Sequence, residues 1–158
     1  MVTFYIFVAM GLETDIKQKK FDSEHEKAII NILYAASWID TKNIKRFKPH
    51  GITTQQFNVL RILRGSHPKK LMLSDISSRM IDKNSNATRL VEKLRLNGYV
   101  TRVQCTDNRR QVDIAITEKG LDLLAAIDTE TETWLKSFKT LTTQECRTLN
   151  DLLDKLRG

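Results

Sequence analysis

The sequence of 158 residues predicts a mainly α-helical fold with one small β-hairpin, an α+β arrangement. Apolar residues recur at three-and-four spacing over several long segments, which is typical of amphipathic helices. Apolar and polar residues alternate between positions 112 and 116, which is typical of a half-buried strand. Pro49, Gly51, Gly65 and Gly98 stand between the periodic segments and mark their ends. A chain of this length fits one domain with a substantial core.

The first predicted helix begins after Asp22 or Ser23, either of which suits a helix N-cap, and runs roughly to Arg46. A second helix begins at the capping-box pattern of Thr53 and Gln56 and ends before Gly65. These two helices precede the segment in which the elements become short.

Residues 71–73 are predicted to be extended, and Ser74 is predicted to cap a brief helix with Ile76 and Met80 facing inward. The next helix, about 84–97, is predicted to start at a cap formed by Asp82 or Asn84 and to stop at Gly98.

Strands at 99–105 and 112–116 then form the hairpin. A long helix from about Lys119 to Phe138 and a last helix from about Thr143 to Leu156 complete the chain.

Two short helices with a tight joint, followed at once by a hairpin, predict a winged helix-turn-helix. We call the second helix of the pair the reader helix and the hairpin of about 103–116 the wing. At 100° per residue, the reader helix has an apolar core face formed by Ala87, Leu90, Val91 and Leu94. Its opposite face is small, polar and basic, as base edges in the major groove require, and carries Ser85, Asn86, Arg89 and Lys93.

The net charge of +7 is concentrated in the middle of the chain. Residues 42–70 contain eight Lys/Arg and no Asp or Glu, and residues 71–110 contain eight basic and four acidic residues. The segments before and after are net acidic. This distribution favours a polyanion-binding module between segments with another task, although a generic basic surface would also produce it.

No motif for catalysis or metal binding accompanies these features. His25, His50 and His67 have no ligand-like spacing, and the glycines do not cluster into a phosphate-binding loop. The two cysteines form no disulfide framework and suit a reducing cytoplasm. The sequence therefore predicts a cytoplasmic protein that is not an enzyme and has no cofactor or metal.

The first ten residues, MVTFYIFVAM, are apolar but too short to span a bilayer, and they lack the pattern of a secretory signal. Met10 could be the true start instead of Met1, or the segment could pack as an arm against a partner. We assign residues 1–21 to an N-terminal arm, 22–48 to an N-terminal helix, 49–118 to the DNA-binding lobe and 119–158 to C-terminal helices. The terminal helices are rich in apolar residues and lack the basic excess, so they are expected to bury against protein.

The run LSDISSRMIDKNSNATRLVEKLRLNGYVTR, followed by DNRRQVDIAITEKG, resembles the MarR family of bacterial transcription regulators. The shared pieces lie at Thr88–Leu94, Gly98–Val100, Arg109–Arg110 and Ile116–Gly120, and the helix order extends the likeness from about Phe21 to Arg157. One departure concerns the wing, because the family commonly places Asp directly before the arginine pair. Here Asn108 takes that position and Asp107 stands one step earlier.

The resemblance implies a homodimeric repressor on a pseudo-palindromic DNA operator, with reader helices in major grooves and wings in minor grooves. Either Arg109 or Arg110 would enter the minor groove, and we favour Arg110 because it lies closer to the strand that directs it. The predicted DNA contacts are Ser74, Lys83, Asn84, Ser85, Asn86, Thr88, Arg89, Lys93, Arg109 and Arg110. The basic residues Lys42, Lys45, Arg46, Lys69 and Lys70 would meet the phosphate backbone or add to the general field.

The same resemblance, together with the apolar excess of the terminal helices, predicts the dimerisation residues Ile29, Ile32, Leu33, Ala36, Leu121, Leu124, Leu149, Leu152 and Leu156. Family members often release DNA when a small aromatic or lipophilic compound binds. Four aromatic residues could line such an effector cleft, although core positions would suit them as well: Tyr34, Trp38, Phe47 and Phe57.

Two alternatives stay open. A winged helix can bind protein instead of DNA, which would call for an apolar outward face on the reader helix. A thiol-based repressor could use Cys105, whose thiolate Arg102, Arg109 and Arg110 would stabilise.

Overall fold

A computed structural model of the chain describes residues 11–104 and 112–158, and for Gln104 it describes the backbone only. It divides into two compact units, the first ending at Thr54 and the second running from Gln55 to Gly158. The boundaries expected between arm, dimerisation helices and DNA-binding lobe stay a prediction. In the described residues, no helix has both the length and the apolar character needed to cross a membrane.

The first unit is dominated by one long helix. After the short helix α1 (Leu12–Asp15), α2 spans Glu24–Phe47, and a 3-10 turn at Lys48–His50 follows it. The Ser23 hydroxyl accepts the Glu26 N–H at 3.1 Å, so Ser23 is the N-cap of α2. Gly51 ends the segment with a φ of 69°, a left-handed conformation that glycine adopts without strain.

The second unit has the predicted order of short helices and strands. Its elements are α3 (Thr54–Arg64), β1 (Leu71–Met72), α4 (Leu73–Arg79), α5 (Ala87–Leu96), β2 (Val100–Gln104), β3 (Val112–Ile116), α6 (Glu118–Thr129), α7 (Thr131–Lys136) and α8 (Thr143–Arg157). Helix α5 is the reader helix, and β2 and β3 are the strands of the wing. This mostly helical fold with a small antiparallel sheet confirms the predicted fold class.

The sheet contains one strand more than the predicted hairpin. Strand β3 pairs with β2 through Val100↔Ile116 and also with β1 through Leu71↔Ile114, both antiparallel, which gives the order β1-β3-β2. Residues 71–73 were expected to be extended, but their pairing with the wing was not foreseen. The third strand attaches the base of the wing to the start of α4.

The core of the second unit consists of aliphatic side chains from every layer. Ile76 and Met80 are buried, as predicted, and Ile114 and Ile116 bury one side of β3. The other nearly inaccessible side chains come from α3, α5 and α6: Val59, Leu60, Leu63, Val91, Leu94, Leu124 and Ile127. Apolar periodicity identified most of these positions because they repeat on one face of each element.

Helix α6 approaches the end of the reader helix very closely at Gly120. A Cβ atom at this position would lie 2.4 Å from the Tyr99 carbonyl oxygen and 2.7 Å from Cγ1 of Ile116. Only glycine permits that approach of the two backbones. Close packing therefore explains why the ITEKG pattern ends in glycine.

Three predicted helix boundaries were wrong. Helix α4 begins at Leu73 with Met72 at the cap position, so Ser74 lies inside the helix, and Asp75 accepts the Met72 N–H at 3.1 Å. The reader helix starts at Ala87, and its cap is Asn86 rather than Asp82 or Asn84. Local hydrogen bonds decide these ends, and several polar residues near each end could have made them.

The third error concerns the long helix predicted to reach Phe138. It breaks at Glu130, between α6 and α7. The Thr129 hydroxyl donates to the Ala126 carbonyl at 2.7 Å, and that of Thr131 to the Ile127 carbonyl at 3.4 Å. Such back-bonding by threonine competes with the helical ladder and bends helices.

Candidate nucleic-acid interface

The reader helix has the two faces that its sequence predicts. Ala87, Val91 and Leu94 are buried, and Leu90 is half-buried. Outside this core face Thr88, Arg89 and Lys93 are exposed, and their side chains have no hydrogen bond or ion pair among the described residues. The outward face is therefore a hydroxyl, a guanidinium and an ammonium group on a helix that is anchored from behind.

Asn86 holds the start of the reader helix. Its side-chain oxygen accepts the Arg89 N–H at 3.0 Å, which satisfies one of the free donors of the first turn. The side chain that was predicted to contact DNA is thus the cap of the helix, and its contact with a base stays a prediction.

The turn before the reader helix is organised by an acidic residue. The carboxylate of Asp82 accepts the Asn84 N–H at 3.0 Å and the Ser85 hydroxyl at 2.8 Å. The side chain of Ser85 is thus tied to the turn and is half-buried, while that of Asn84 is exposed. Asp82 was predicted as a possible cap of the helix, but it lies four residues before the actual cap, Asn86, and organises the turn instead.

Two further contacts fasten this turn to its neighbours. The Ile81 N–H donates to the side-chain oxygen of Asn58 on α3 at 3.0 Å. The Lys83 ammonium donates to the Ser78 carbonyl at 2.5 Å, at the C-terminal end of α4, where the helix dipole favours a cation. Lys83 was predicted as a DNA contact, but its ammonium group is hydrogen-bonded to the end of α4. Ser74, a predicted contact on α4, is exposed in the first turn of that helix.

Glu92 is a charged residue of this region that the sequence reading did not single out. Arg95 donates to its carboxylate at 2.8 and 3.0 Å, and Arg102 on β2 lies at 3.9 Å. The hydrogen bond from Arg95 lowers the pKa of Glu92, and the same bond raises the pKa of Arg95. The i,i+3 spacing of Glu92 and Arg95 was the sequence signal for this pair.

A cavity of about 290 Å³ opens between α4, the reader helix and the wing strands. Its wall combines apolar side chains with two hydroxyls and one guanidinium. The lining residues are Met72, Leu73, Ser74, Thr88, Val91, Arg102, Val112 and Ile114. Two predicted DNA contacts, Ser74 and Thr88, therefore share the rim of one cavity.

The two strands of the wing are described, but its tip is not. Val112 is half-buried while Ile114 and Ile116 are buried, which confirms that one side of β3 faces inward. The predicted contacts Arg109 and Arg110, and the thiol of Cys105, lie outside the described residues. Their roles stay predictions.

The terminal helices expose apolar side chains in the single chain. On α2, Ile29 is 54% and Leu33 64% exposed, with Ile32 and Ala36 exposed beside them. On α8, Leu149, Leu152 and Leu156 are 45%, 59% and 62% exposed. Leu121 is half-buried, but Leu124 is completely buried in its own chain, so its side chain belongs to the core and not to a free surface.

The four aromatic residues proposed for an effector cleft have unlike environments. Phe47 is 2% exposed and is therefore a core side chain, and Phe57 is half-buried. Tyr34 and Trp38 are exposed on α2, where the Lys42 ammonium lies 4.5 Å from the centre of the Trp38 ring. The cleft itself stays a prediction.

The reader helix is basic on its outer face and buried on its inner face. A hydrogen-bonded turn precedes it and a small antiparallel sheet lies beside it. This arrangement is that of a winged-helix DNA-binding protein. The sequence model of the MarR family matches residues 52–112. YkoM, an uncharacterised HTH-type transcriptional regulator of Bacillus subtilis, is 30% identical over 68% of this chain and 71% of its own length. The chain belongs to the MarR family of transcriptional regulators, which confirms the expected family.

Two further likenesses agree with this assignment. The HTH-type transcriptional repressor IacR of Pseudomonas putida is 29% identical over 72% of this chain and 68% of its own. The crystal structure of Sco3205, a MarR family regulator from Streptomyces coelicolor in complex with DNA, shares the fold with a TM-score of 0.75. That structure is 17% identical and covers 89% of this chain and 90% of its own.

Proposed function

We propose that the protein is a homodimeric transcriptional repressor that binds double-stranded DNA sequence-specifically through the outward face of α5. The observation that carries the proposal is the exposed set of Thr88, Arg89 and Lys93, which lies opposite the buried Val91 and Leu94. A rigidly backed helix with short polar and basic groups near its N-terminus fits the major groove. The likeness to a regulator solved with DNA supports the proposal.

Arg89 is the best candidate for direct reading of a base. It is exposed in the first turn of the reader helix and its guanidinium has no acidic partner among the described residues. An arginine in this position can donate two hydrogen bonds to a guanine edge. Lys93, one turn further along, suits a phosphate or a second base, and Thr88 suits a phosphate or a thymine methyl group.

The two rivals receive less support. A protein-binding winged helix would need an apolar outward face, and the face formed by Thr88, Arg89 and Lys93 is polar and charged. A redox mechanism rests on Cys105, for which the described residues supply no observation. The proposed function contains no catalytic step and places the protein in the cytoplasm with the DNA.

Repression would follow from occupation of a promoter, and IacR is a relative described as a repressor. Release by a small aromatic or lipophilic effector is the remaining part of the proposal. It rests on the family resemblance, and a panel of phenolic acids titrated into a preformed protein–DNA complex would test it.

The direct test is selection of operator DNA from a random pool by the purified full chain, followed by affinity measurements. Arg89→Ala should weaken binding to the selected operator about 10- to 100-fold and relax the preference at one base pair. Arg95→Ala is the matched control, because it removes the same type of side chain from the last turn of the same helix, where Arg95 pairs with Glu92. Equal losses for the two variants would contradict readout by α5.

The wing is tested separately with Arg109→Ala and Arg110→Ala. The variant that lacks the minor-groove contact should no longer distinguish A·T from G·C pairs flanking the operator, and its salt dependence should be shallower by about one unit. We expect the larger effect for Arg110. If neither substitution changes the affinity or its salt dependence, the wing is not a DNA contact.

A further inference from the structure

Helix α6 is fastened to the end of the reader helix at its N-terminal side. The Thr117 hydroxyl donates to the Gly98 carbonyl at 2.8 Å, and the Lys119 ammonium donates to the Asn97 carbonyl at 2.9 Å. These two carbonyls belong to the residues that directly follow α5. The start of α6 is therefore tied to the end of the reader helix.

The other end of α6 carries an ionic joint to α3. Asp128, next to the last residue of α6, accepts from Nη1 of Arg64 at 2.6 Å and from Nη1 of Arg61 at 3.4 Å. Arg61 and Arg64 both lie in the last turn of α3. One carboxylate is thus held between two guanidinium groups from a helix more than 60 residues earlier in the chain.

The position of Asp128 is electrostatically unfavourable within its own helix. A carboxylate near a helix C-terminus opposes the macrodipole, and α6 has no basic residue in its last turn. The two arginines supply the missing positive charge from outside the helix. The pair therefore depends on α3 and α6 being correctly placed relative to each other.

The joint adds little to stability. The side chains of Arg61, Arg64 and Asp128 are 49%, 28% and 40% exposed, and ion pairs of that exposure add little to the free energy of unfolding. The nearby apolar residues of α6, Leu124 and Ile127, are buried. What the joint supplies is geometry, because Asp128 is held at two points by α3.

We propose that Asp128, held by Arg61 and Arg64, is a positioning residue for DNA binding that sets the separation of the two reader helices in the dimer. The inference rests on the proposed dimeric function. Helix α6 has 12 residues and is about 18 Å long, so a shift of about 1 Å at Asp128 would tilt it by about 3°. Helix α7 connects α6 to the proposed dimer surface on α8, so the angle of α6 contributes to how far apart the reader helices lie.

The test compares operators with altered half-site spacing. The operator selected by the wild-type protein is resynthesised with one or two extra base pairs between its half-sites, which moves the major grooves out of register with the reader helices. We expect wild-type binding to fall sharply. For Asp128→Asn, the ratio of affinities between the original and the lengthened operator should shrink at least about threefold, because the angle of α6 is less restricted.

The matched control is Asp122→Asn, which removes the same charge from an exposed position of the same helix. It should retain the wild-type spacing preference. The double exchange Arg64→Asp with Asp128→Arg restores an ion pair and should restore the preference. A variant that is merely destabilised would lose affinity for both operators equally, so its affinity ratio would not change. Circular dichroism and a melting curve would reveal the loss of structure.

If Asp128→Asn distinguishes the spacings as sharply as Asp122→Asn does, the joint has no positioning role and the proposal is overturned. If the wild-type chain is a monomer, or selects no DNA, the proposed function itself fails and this inference fails with it. The two failures are distinguishable because only the second one is seen with the wild-type protein.

Discussion

Asn86 caps the reader helix and is bonded to the residue that is proposed to read a base. The hydrogen bond from the Arg89 N–H to its side-chain oxygen, at 3.0 Å, fixes the first turn of the reader helix. The same bond aligns the backbone of Arg89, whose side chain is the main candidate for base reading. The proposed recognition by Arg89 would therefore depend on the cap at Asn86.

Replacement of the cap should destabilise the protein by a measurable amount. Asn86→Ala should lower the free energy of unfolding by about 1 kcal/mol, because the first turn of α5 loses its side-chain acceptor. Asn86→Ser, which retains a capping oxygen, should lose much less. Urea unfolding at one fixed protein concentration measures both, and equal losses would show that the cap does not stabilise the helix.

Helix α8 depends largely on its own local interactions. None of its residues is buried, so packing within the chain contributes little to it. At its start the Thr142 hydroxyl accepts the Glu145 N–H at 3.3 Å, and the Glu145 carboxylate accepts the Thr142 N–H at 2.7 Å. This reciprocal capping box defines where the helix begins.

The capping box makes the stability of α8 dependent on pH. The hydrogen bonds from Thr142, first that of the backbone and then that of the side chain, lower the pKa of Glu145 from its ordinary 4.5. A lowered pKa in the folded state means that the stabilisation is complete above the ordinary value and disappears as the pH falls through the lowered one. The melting temperature of the wild type should exceed that of Glu145→Gln at pH 7.

The gap between the two melting temperatures should narrow as the pH falls below 4.5 and through the lowered pKa, because the protonated Glu145 no longer differs in charge from glutamine. Both variants share every other titrating group, so their difference isolates Glu145. A gap that stays constant from pH 7 to pH 3 would assign the effect to something other than ionisation.

For the whole molecule, the exposed apolar residues of α2 and α8 are the features that most require a partner. Leu33, Leu152 and Leu156 are about three-fifths exposed in the single chain. Apolar side chains grouped on one face of a helix usually mark a protein contact. A second copy of the chain is the partner that the proposed function needs, because two half-sites require two reader helices.

A charge placed in this surface should separate the copies. Leu152→Glu should raise the dissociation constant of the dimer about 30-fold or more, since it replaces a buried apolar contact by a desolvated carboxylate. Asn150→Glu adds the same charge to α8 away from the leucine stripe and should have little effect. Sedimentation equilibrium measures both constants, and a Leu152→Glu chain that still dimerises like the wild type would exclude this surface.

Much of the fold was predictable because it follows from local chemistry. Ser23 caps α2 and Gly98, with a φ of 76°, follows the reader helix, both as their residue types indicated. The buried side of α5 followed from the spacing of Val91 and Leu94. Where several polar residues competed for one task, as at Asp82, Asn84 and Asn86, the residue type alone could not decide between them.

The site was predictable in part. The exposed basic face of the reader helix was foreseen, because helical periodicity separates it from the core face. The attachment of Lys83 to Ser78, the pairing of Glu92 with Arg102 and the joint at Asp128 were not. Each of these joins separate elements, and no pattern within a single element indicates such a contact.

The sequence by itself determined the order of the elements, the faces that each one buries, the basic centre of the chain and the family to which the protein belongs. Only the tertiary structure decided which polar side chains of the interface are free and which are occupied, and that Arg61 and Arg64 neutralise Asp128 instead of serving as free cations. The physical reason is the distance along the chain over which each interaction acts. Periodicity, capping and turn preference act over a few residues, whereas an ion pair or a third strand depends on distances that exist only after the elements have packed.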